Sequence, residues 1–351
     1  MAALQCVRSL SKVRYNVLHK FSAAVMVVEN KSVRRYSTSH QLVGKSSNSR
    51  QHLSYLYELY HRRIEVGPEK ERHPSEYGCW NHDAEIYAFG QRFGEDFNDM
   101  VLKEAFVQRC FVEQEIEKQK DLGLDMEIDM TDNEILAEKG YSLASRFIKA
   151  YLRYSFPQLF EEGISAIHDF LLSDEMLFHI GCNIGLKELI QSATYPPEHP
   201  TYVTTLKAVI GALIESQNEK KAEDFVLDLI IPQLVGIDVS ELWNIENPMG
   251  LLCALLKEQN LGEPEARLLW SSASNTIMPL HHVGIYSDKK LLGKSPGETI
   301  SIAEDMAARE AIKKLLNMTD NRSPLELGDK AKNLELDFNK TNRSVSELNC
   351  S

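Results

Sequence analysis

Glu134 and Glu138 stand four residues apart, and Glu215 follows much later in the chain. Carboxylates four residues apart share one helix face, and two facing helices of that kind can cage Mg²⁺ in oxygen ligands. Metal-assisted hydrolysis is the chemistry such a cage supports. The plainer reading of the same residues is a solvated acidic helix face. Other constellations carry less. Gly44-Lys45-Ser46 and Gly293-Lys294-Ser295 end like a phosphate-binding loop, but Ser39 and Asp288 stand where its first glycine belongs. His281 and His282 are adjacent, so on a strand they point to opposite faces and cannot share a metal. Trp80, Trp243 and Trp270 read as core or interface anchors. The six cysteines, Cys6, Cys79, Cys110, Cys182, Cys253 and Cys350, form no Cys-x-x-Cys pair. A zinc ribbon or finger is thereby excluded, and a reducing compartment fits better than a disulfide scaffold.

These residues need a body to position them, and the 351 residues are enough for two domains with tails. A composition of 43% hydrophobic and 26% charged residues excludes collagen-like and wholly disordered classes. No run of 18 apolar residues exists, so no membrane-spanning segment is expected. The net charge of −12 is uneven. Residues 1–36 hold seven basic residues against one acid, Glu29, so that segment is +6 and the remainder −18. So acidic a body cannot coat itself in RNA by bulk charge, and any RNA contact must use a local patch.

The basic, Ser-bearing, acid-poor start reads as a mitochondrial transit peptide, with cleavage expected after Tyr36 in Arg34-Arg35-Tyr36-Ser37. The apolar run Phe21 to Val28 is the length of a secretory core, but basic residues flank it on both sides. Residues 37–79 read as an extended segment with a short helix over Ser54 to Arg63, ended by Pro68 and Pro74. Residues 80–236 carry one helical pattern after another: Ile86, Phe89 and Phe93; Met100, Val101, Ala105 and Phe106; Leu206, Val209, Ile210, Leu213 and Ile214.

The pattern changes at 247–318. A helix starting at Pro248 has Leu251, Leu252, Leu255 and Leu256 on one face. Strands are predicted at Ala266–Ser272, Leu280–Ser287 and Leu291–Lys294, the last two joined by a tight turn at Asp288-Lys289-Lys290. A final helix over Ser301–Leu316 turns Ala303, Met306, Ala307, Ile312, Leu315 and Leu316 inward. The expected fold class is mainly α: an all-helical domain followed by an αβββα domain. Residues 319–351 lack periodicity and read as a disordered or partner-bound tail.

The two patterns in this order resemble ribonuclease III, an endonuclease domain followed by a double-stranded-RNA-binding domain. The resemblance rests on Phe89-Gly90-Gln91-Arg92-Phe93, on Ala105 to Phe111, where Gln108 replaces the family's usual His, and on Ala208-Val209-Ile210-Gly211-Ala212. Asn133 to Tyr141 lies over the family signature N-E-R-L-E-F-L-G-D. In the second domain it rests on Asn247-Pro248 and on Ala303 with Ala307-Ala308. Trp80, His82, Ala84-Glu85-Ile86, Asn247 to Leu252 and Pro296 to Thr299 are similar to a branch of that family found in the large subunit of the mitochondrial ribosome.

This resemblance implies a structural ribosomal protein of the mitochondrial matrix, with no cofactor, contacting mitochondrial rRNA and neighbouring large-subunit proteins. The family holds its metals on four carboxylates. The aligned positions here are Ala137, Tyr141, Thr204 and Lys207, which implies no metal site and no catalysis. Glu138 is turned about 100° from Ala137, off that face. The alternative is a metal-dependent endoribonuclease acting on double-stranded mitochondrial RNA, its site rebuilt from Glu134, Glu138 and Glu215. In the second domain, Ile300, Ser301 and Glu304 stand where the family has a lysine run, and Ala254 where its first helix offers a polar side chain. Lys289, Lys290, Lys294, Lys313 and Lys314 remain as RNA-binding candidates. The family's domains also pair, which implies a partner face anchored by Tyr141, Leu143, Phe147 and Ile148.

Overall fold

The computed structural model describes residues 47–67, 71–123, 131–273, 276–319 and 324–348. The expected transit peptide, its cleavage point, Gly44-Lys45-Ser46, Cys6 and Cys350 lie outside them. The chain divides into two compact units, residues 1–70 and 71–351. In the first, helix α1 spans Ser47–Val66, longer at both ends than the expected Ser54 to Arg63.

The second unit opens with helices α2 (His82–Phe93), α3 (Asp99–Phe106), α4 (Arg109–Asp121), α5 (Glu134–Ser155), α6 (Glu161–Leu171) and α7 (Asp174–Ile184). Then come α8 (His199–Ser216), α9 (Glu219–Leu229) and the short α10 (Val239–Leu242). Side-chain caps set several starts: Asn81, Asn98 and Ser173 accept hydrogen bonds from the first-turn amides of α2, α3 and α7. Long α5 and α8 run through the middle. Ile148, Tyr151 and Leu152 of α5 and Ala208, Val209 and Leu213 of α8 are fully buried. Phe89 of α2 meets Phe106 of α3 edge-on at 5.4 Å, an arrangement that suits the ring quadrupoles.

Helix α11 (Pro248–Glu258), strands β1 (Glu265–Ser272), β2 (Leu280–Ser287) and β3 (Lys290–Gly297), and helix α12 (Ile300–Leu315) follow. The strands form one antiparallel sheet in the order β1-β2-β3. The β2–β3 turn places Asp288 and Lys289 at φ of 48° and 69°, the double positive φ of a tight hairpin. Ala303, Ala307, Ala308 and Ala311 let α12 lie close over β2 and β3. The observed order is the αβββα order expected, with β3 longer than Leu291–Lys294. Gly293-Lys294-Ser295 lies within β3, so the second phosphate-loop triplet is a strand.

The two domains share a continuous core, with Leu252, Leu256 and Ile312 buried in the same cluster as Phe160 and Trp243. Lys313 Nζ meets Asp238 at 2.5 Å, and Arg309 donates to the Ile245 carbonyl at 2.9 Å. Burial would raise the Asp238 pKa, but the hydrogen bonds from Lys313 and Ser240 outweigh it and hold the carboxyl below its ordinary value.

The sequence expectations need four corrections. Residues 324–348, expected to belong to a disordered or partner-bound tail, are not disordered but pack on their own chain. Tyr151 Oη donates to the Glu326 carbonyl at 2.5 Å. Asn342 Nδ2 donates to the carbonyls of Phe156 (3.0 Å) and Leu159 (2.7 Å). Helices α13 (Asp329–Lys332) and α14 (Val345–Leu348) belong to this strap, and Lys332 pairs with Asp228 of α9 at 2.8 Å. The strap's leucines are spaced irregularly because they meet an irregular surface, so no period betrays them. Leu143, Phe147 and Ile148 face the core, because α5 is enclosed by its neighbours; of the four expected interface anchors only Tyr141 is exposed. Met306 of α12 and Met100 of α3 are exposed, Met306 one residue before buried Ala307 and Met100 on the face away from Leu102, Ala105 and Phe106.

Two histidines are partly buried by this packing. His168 accepts or donates at both nitrogens, 2.8 Å from Ser145 Oγ and 2.8 Å from Asp169 Oδ1. His82 Nε2 lies 3.2 Å from the Leu189 carbonyl. Burial lowers both pKa values, and the hydrogen bonds to Asp169 and to Leu189 only partly oppose it. The folded state therefore disfavours the protonated rings. Their contribution to stability is full above the unfolded imidazole pKa of about 6.5 and is lost progressively below it, as the pH falls toward and through the lowered folded-state values. The melting temperature should drop between about pH 7.5 and about pH 5.5, and His168→Gln should flatten that slope; calorimetry across pH is the check. Asn342→Ala should cost about 1–3 kcal/mol by removing the side-chain donor that the Phe156 and Leu159 carbonyls share, read as a lower denaturation midpoint at unchanged slope.

Candidate functional site

The four positions that the resemblance assigns to the family's metals, Ala137, Tyr141, Thr204 and Lys207, lie on α5 and α8, the two helices that cross at Gly140 and Gly211. Gly140 of α5 and Gly211 of α8 permit the crossing. A Cβ on Gly140 would sit 2.0 Å from the Lys207 carbonyl oxygen, and one on Gly211 would sit 2.1 Å from the Leu136 carbonyl oxygen. The backbones are therefore in direct contact, and the side chains one turn away are brought together. Ala137 is buried beside this contact. Tyr141 is 41% exposed, and the Lys207 ammonium lies over its ring, 4.9 Å from the centroid. Such a cation–π contact contributes about 0.5–1 kcal/mol at an exposed site. Thr204 Oγ1 donates to the Pro200 carbonyl at 3.0 Å, within its own helix.

The rival carboxylates are not gathered. Glu134 faces Arg109 at 3.6 Å, and Glu215 accepts from Lys139 at 2.5 Å. Glu138 is exposed. Among the described residues no three His, Cys, Asp or Glu side chains are grouped closely enough to hold a metal.

Two polar side chains behind the crossing escaped sequence reasoning. Gln108 is buried and donates to Thr205 Oγ1 at 2.9 Å. Asn133, 1% exposed, donates to the Ala105 carbonyl at 3.0 Å. They join the α3–α4 corner to α8 and α5. Departure from the family's His at Gln108 was the only signal in the sequence, and it did not disclose the partner.

The five RNA-binding candidates fall into two groups. Lys289 and Lys290 sit exposed at the β2–β3 turn, and Lys294 is exposed on β3. Lys313 is largely covered and bound to Asp238, so it joins the domains. Lys314 pairs with Glu310 at 3.2 Å and donates to the Leu292 carbonyl. At the start of α12, Ile300 and Ser301 are exposed and Glu304 is half-buried; these are the three positions where the resemblance expects lysines. Cys79, Cys110 and Cys182 are exposed free thiols, and Cys253 is half-buried. No described helix is long and apolar enough to cross a membrane.

Residues 81–213 match the family model described as Large ribosomal subunit protein mL44, endonuclease domain, and residues 243–349 match MRPL44 dsRNA-binding domain. Large ribosomal subunit protein mL44 of Caenorhabditis elegans is 35% identical over 301 residues, covering 84% of this chain and 74% of that protein. The chain belongs to the mL44 family. A second mL44, from Neurospora crassa, is 30% identical over 31% of this chain and 24% of its own length. Among solved structures, the nuclease domain of ribonuclease III from Campylobacter jejuni is 18% identical, covering 43% of this chain and 99% of that domain, with a TM-score of 0.36. The second mL44 model extends to residue 349, so it takes in the strap as well as the αβββα core.

Gly211→Ala should destabilise the helical domain by about 1–3 kcal/mol or more, because backbone on both sides leaves the methyl no room. Gly78→Ala, whose Cβ would meet nothing within 4 Å, should stay within about 0.5 kcal/mol of the parent. Urea denaturation of both variants is the comparison.

Proposed function

We propose that this protein is a structural component of the large subunit of the mitochondrial ribosome. In it a ribonuclease III-like fold without catalytic activity contacts rRNA and neighbouring ribosomal proteins during mitochondrial translation. The observation that carries the reading is the kinship with mL44, a large-subunit protein by name, over most of the chain. The basic presequence supports a matrix location, with residues 1–36 removed on import.

The crossing of α5 and α8 supports the absence of catalysis. A divalent ion needs anionic oxygens. Ala137 offers none, Tyr141 and Thr204 carry neutral hydroxyls, and Lys207 places an ammonium over the Tyr141 ring. As aligned, this donor set does not fit the family's metals. Exposed Tyr141 beside Lys207 is instead suited to a protein neighbour or to pairing with a related domain, aromatic and cationic side chains being common interface anchors.

Two measurements test the proposal. A tagged chain should sediment with the large subunit of mitochondrial ribosomes and leave that fraction when the subunit is dissociated. The purified protein should leave long duplex RNA intact in Mg²⁺ or Mn²⁺. Staggered cleavage products that vanish in Glu134→Ala/Glu138→Ala would instead establish the endoribonuclease.

A further inference from the structure

The outer face of the β1-β2-β3 sheet, opposite α12, presents an ordered set of side chains. Register fixes three rows. The first holds Trp270, His282 and Pro296; the second Arg267, Gly284 and Lys294; the third Glu265, Tyr286 and Leu291. Every residue of β1 is exposed, Trp270 to 49%. Its indole stacks on His282 with centroids 5.3 Å apart, which holds the ring in one orientation. The Arg267 guanidinium lies over the Tyr286 ring at 5.3 Å. Gly284 leaves the centre shallow, floored by Leu269 and Leu291, with a cation on either side. Lys289 and Lys290 continue the positive edge at the turn.

We propose that this sheet face binds an unpaired stretch of RNA, bases stacking on Trp270 and Tyr286 and the phosphates between them meeting Arg267 and Lys294. The inference rests on the reading that the protein contacts rRNA and specifies how. Aromatic platforms beside cations are the combination that single strands use, since every base has a π-face and every linkage a charge. A duplex keeps its bases stacked inside and cannot reach the rings. A peptide strand would cover Arg267 and Lys294 without supplying anions. Positions 282 and 286 are about 13 Å apart along the strand, room for an extended backbone to pass from one platform to the other. Glu265 is the acid on this face, and its charge is met by Arg267 at 2.5 Å.

The test uses the full chain from Ser37 and fluorescence anisotropy with a labelled, unstructured RNA of about a dozen nucleotides, free and annealed to its complement. The single strand should bind more tightly than the duplex. Trp270→Ala and Tyr286→Ala should each weaken single-strand binding about five- to a hundredfold at unchanged melting temperature, and Trp270→Phe should restore most of it. Lys294→Glu should weaken it and lower the salt dependence. Equal or tighter duplex binding overturns the proposal. So does single-strand affinity within twofold of the parent in both alanine variants, or failure of Trp270→Phe to restore it. Sedimentation with the large subunit is a separate readout: its failure removes the ribosomal assignment and leaves the binding result standing.

Discussion

The helical domain depends on the contact of two backbones at Gly140 and Gly211. Helix axes ordinarily lie 8–10 Å apart, held off by side chains. Here each glycine faces a carbonyl of the opposite helix with no room for a methyl group. That proximity sets where Leu136, Ala137, Tyr141, Thr204 and Lys207 lie, and it draws the α3–α4 corner in until Gln108 reaches Thr205. The same contact would position ligands for a metal if the adjoining residues were acids. Here the residues beside it are an alanine, a tyrosine, a threonine and a lysine, and the lysine's ammonium lies over the tyrosine ring.

A second constraint joins the αβββα domain to the helical one. Lys313 occurs in a segment where lysines would be read as RNA contacts, yet its charge is satisfied by Asp238. Arg309, Asn317 and the strap add further ties, to Ile245, Gln158 and the carbonyls of Phe156 and Leu159. The second domain is thus mounted with its sheet facing outward and its helices turned toward the rest of the unit. The exposed surface of this domain includes the outer sheet face, the hairpin turn and the first turn of α12.

Much of the fold was legible because it rests on local periodicity. The leucine pairs after Pro248, the Asp288-Lys289 turn and the alanine stripe of α12 each carry their own signal, and the order αβββα followed from them. The motif around Gly140 and the one around Gly211 were visible separately; that they touch is a tertiary fact. Two kinds of residue misled. Leu143, Phe147 and Ile148 look alike whether they face a partner or a core, and only the packing around α5 decides. The strap has no period at all, because its contacts are carbonyls and scattered apolar pockets. Of the tryptophans expected as core or interface anchors, Trp243 is buried in the core, whereas Trp270 lies exposed on β1 and so is no core anchor.

The strap also bears on how the molecule is made. Tyr151 reaches a carbonyl 175 residues further along the chain, and Asn342 closes on one 186 residues behind it. Contacts of such separation form late, after much loop entropy has been overcome. During synthesis the helical domain emerges first and can collapse around α5 and α8. Its surface at Phe156, Leu159 and Tyr151 stays incompletely covered until the segment holding Glu326 and Asn342 has been made. Until the strap docks, the helical domain lacks the cover of Leu325, Leu327, Leu334 and Leu336 and the donor of Asn342, and apolar surface left open in this way is what chaperones and proteases act on.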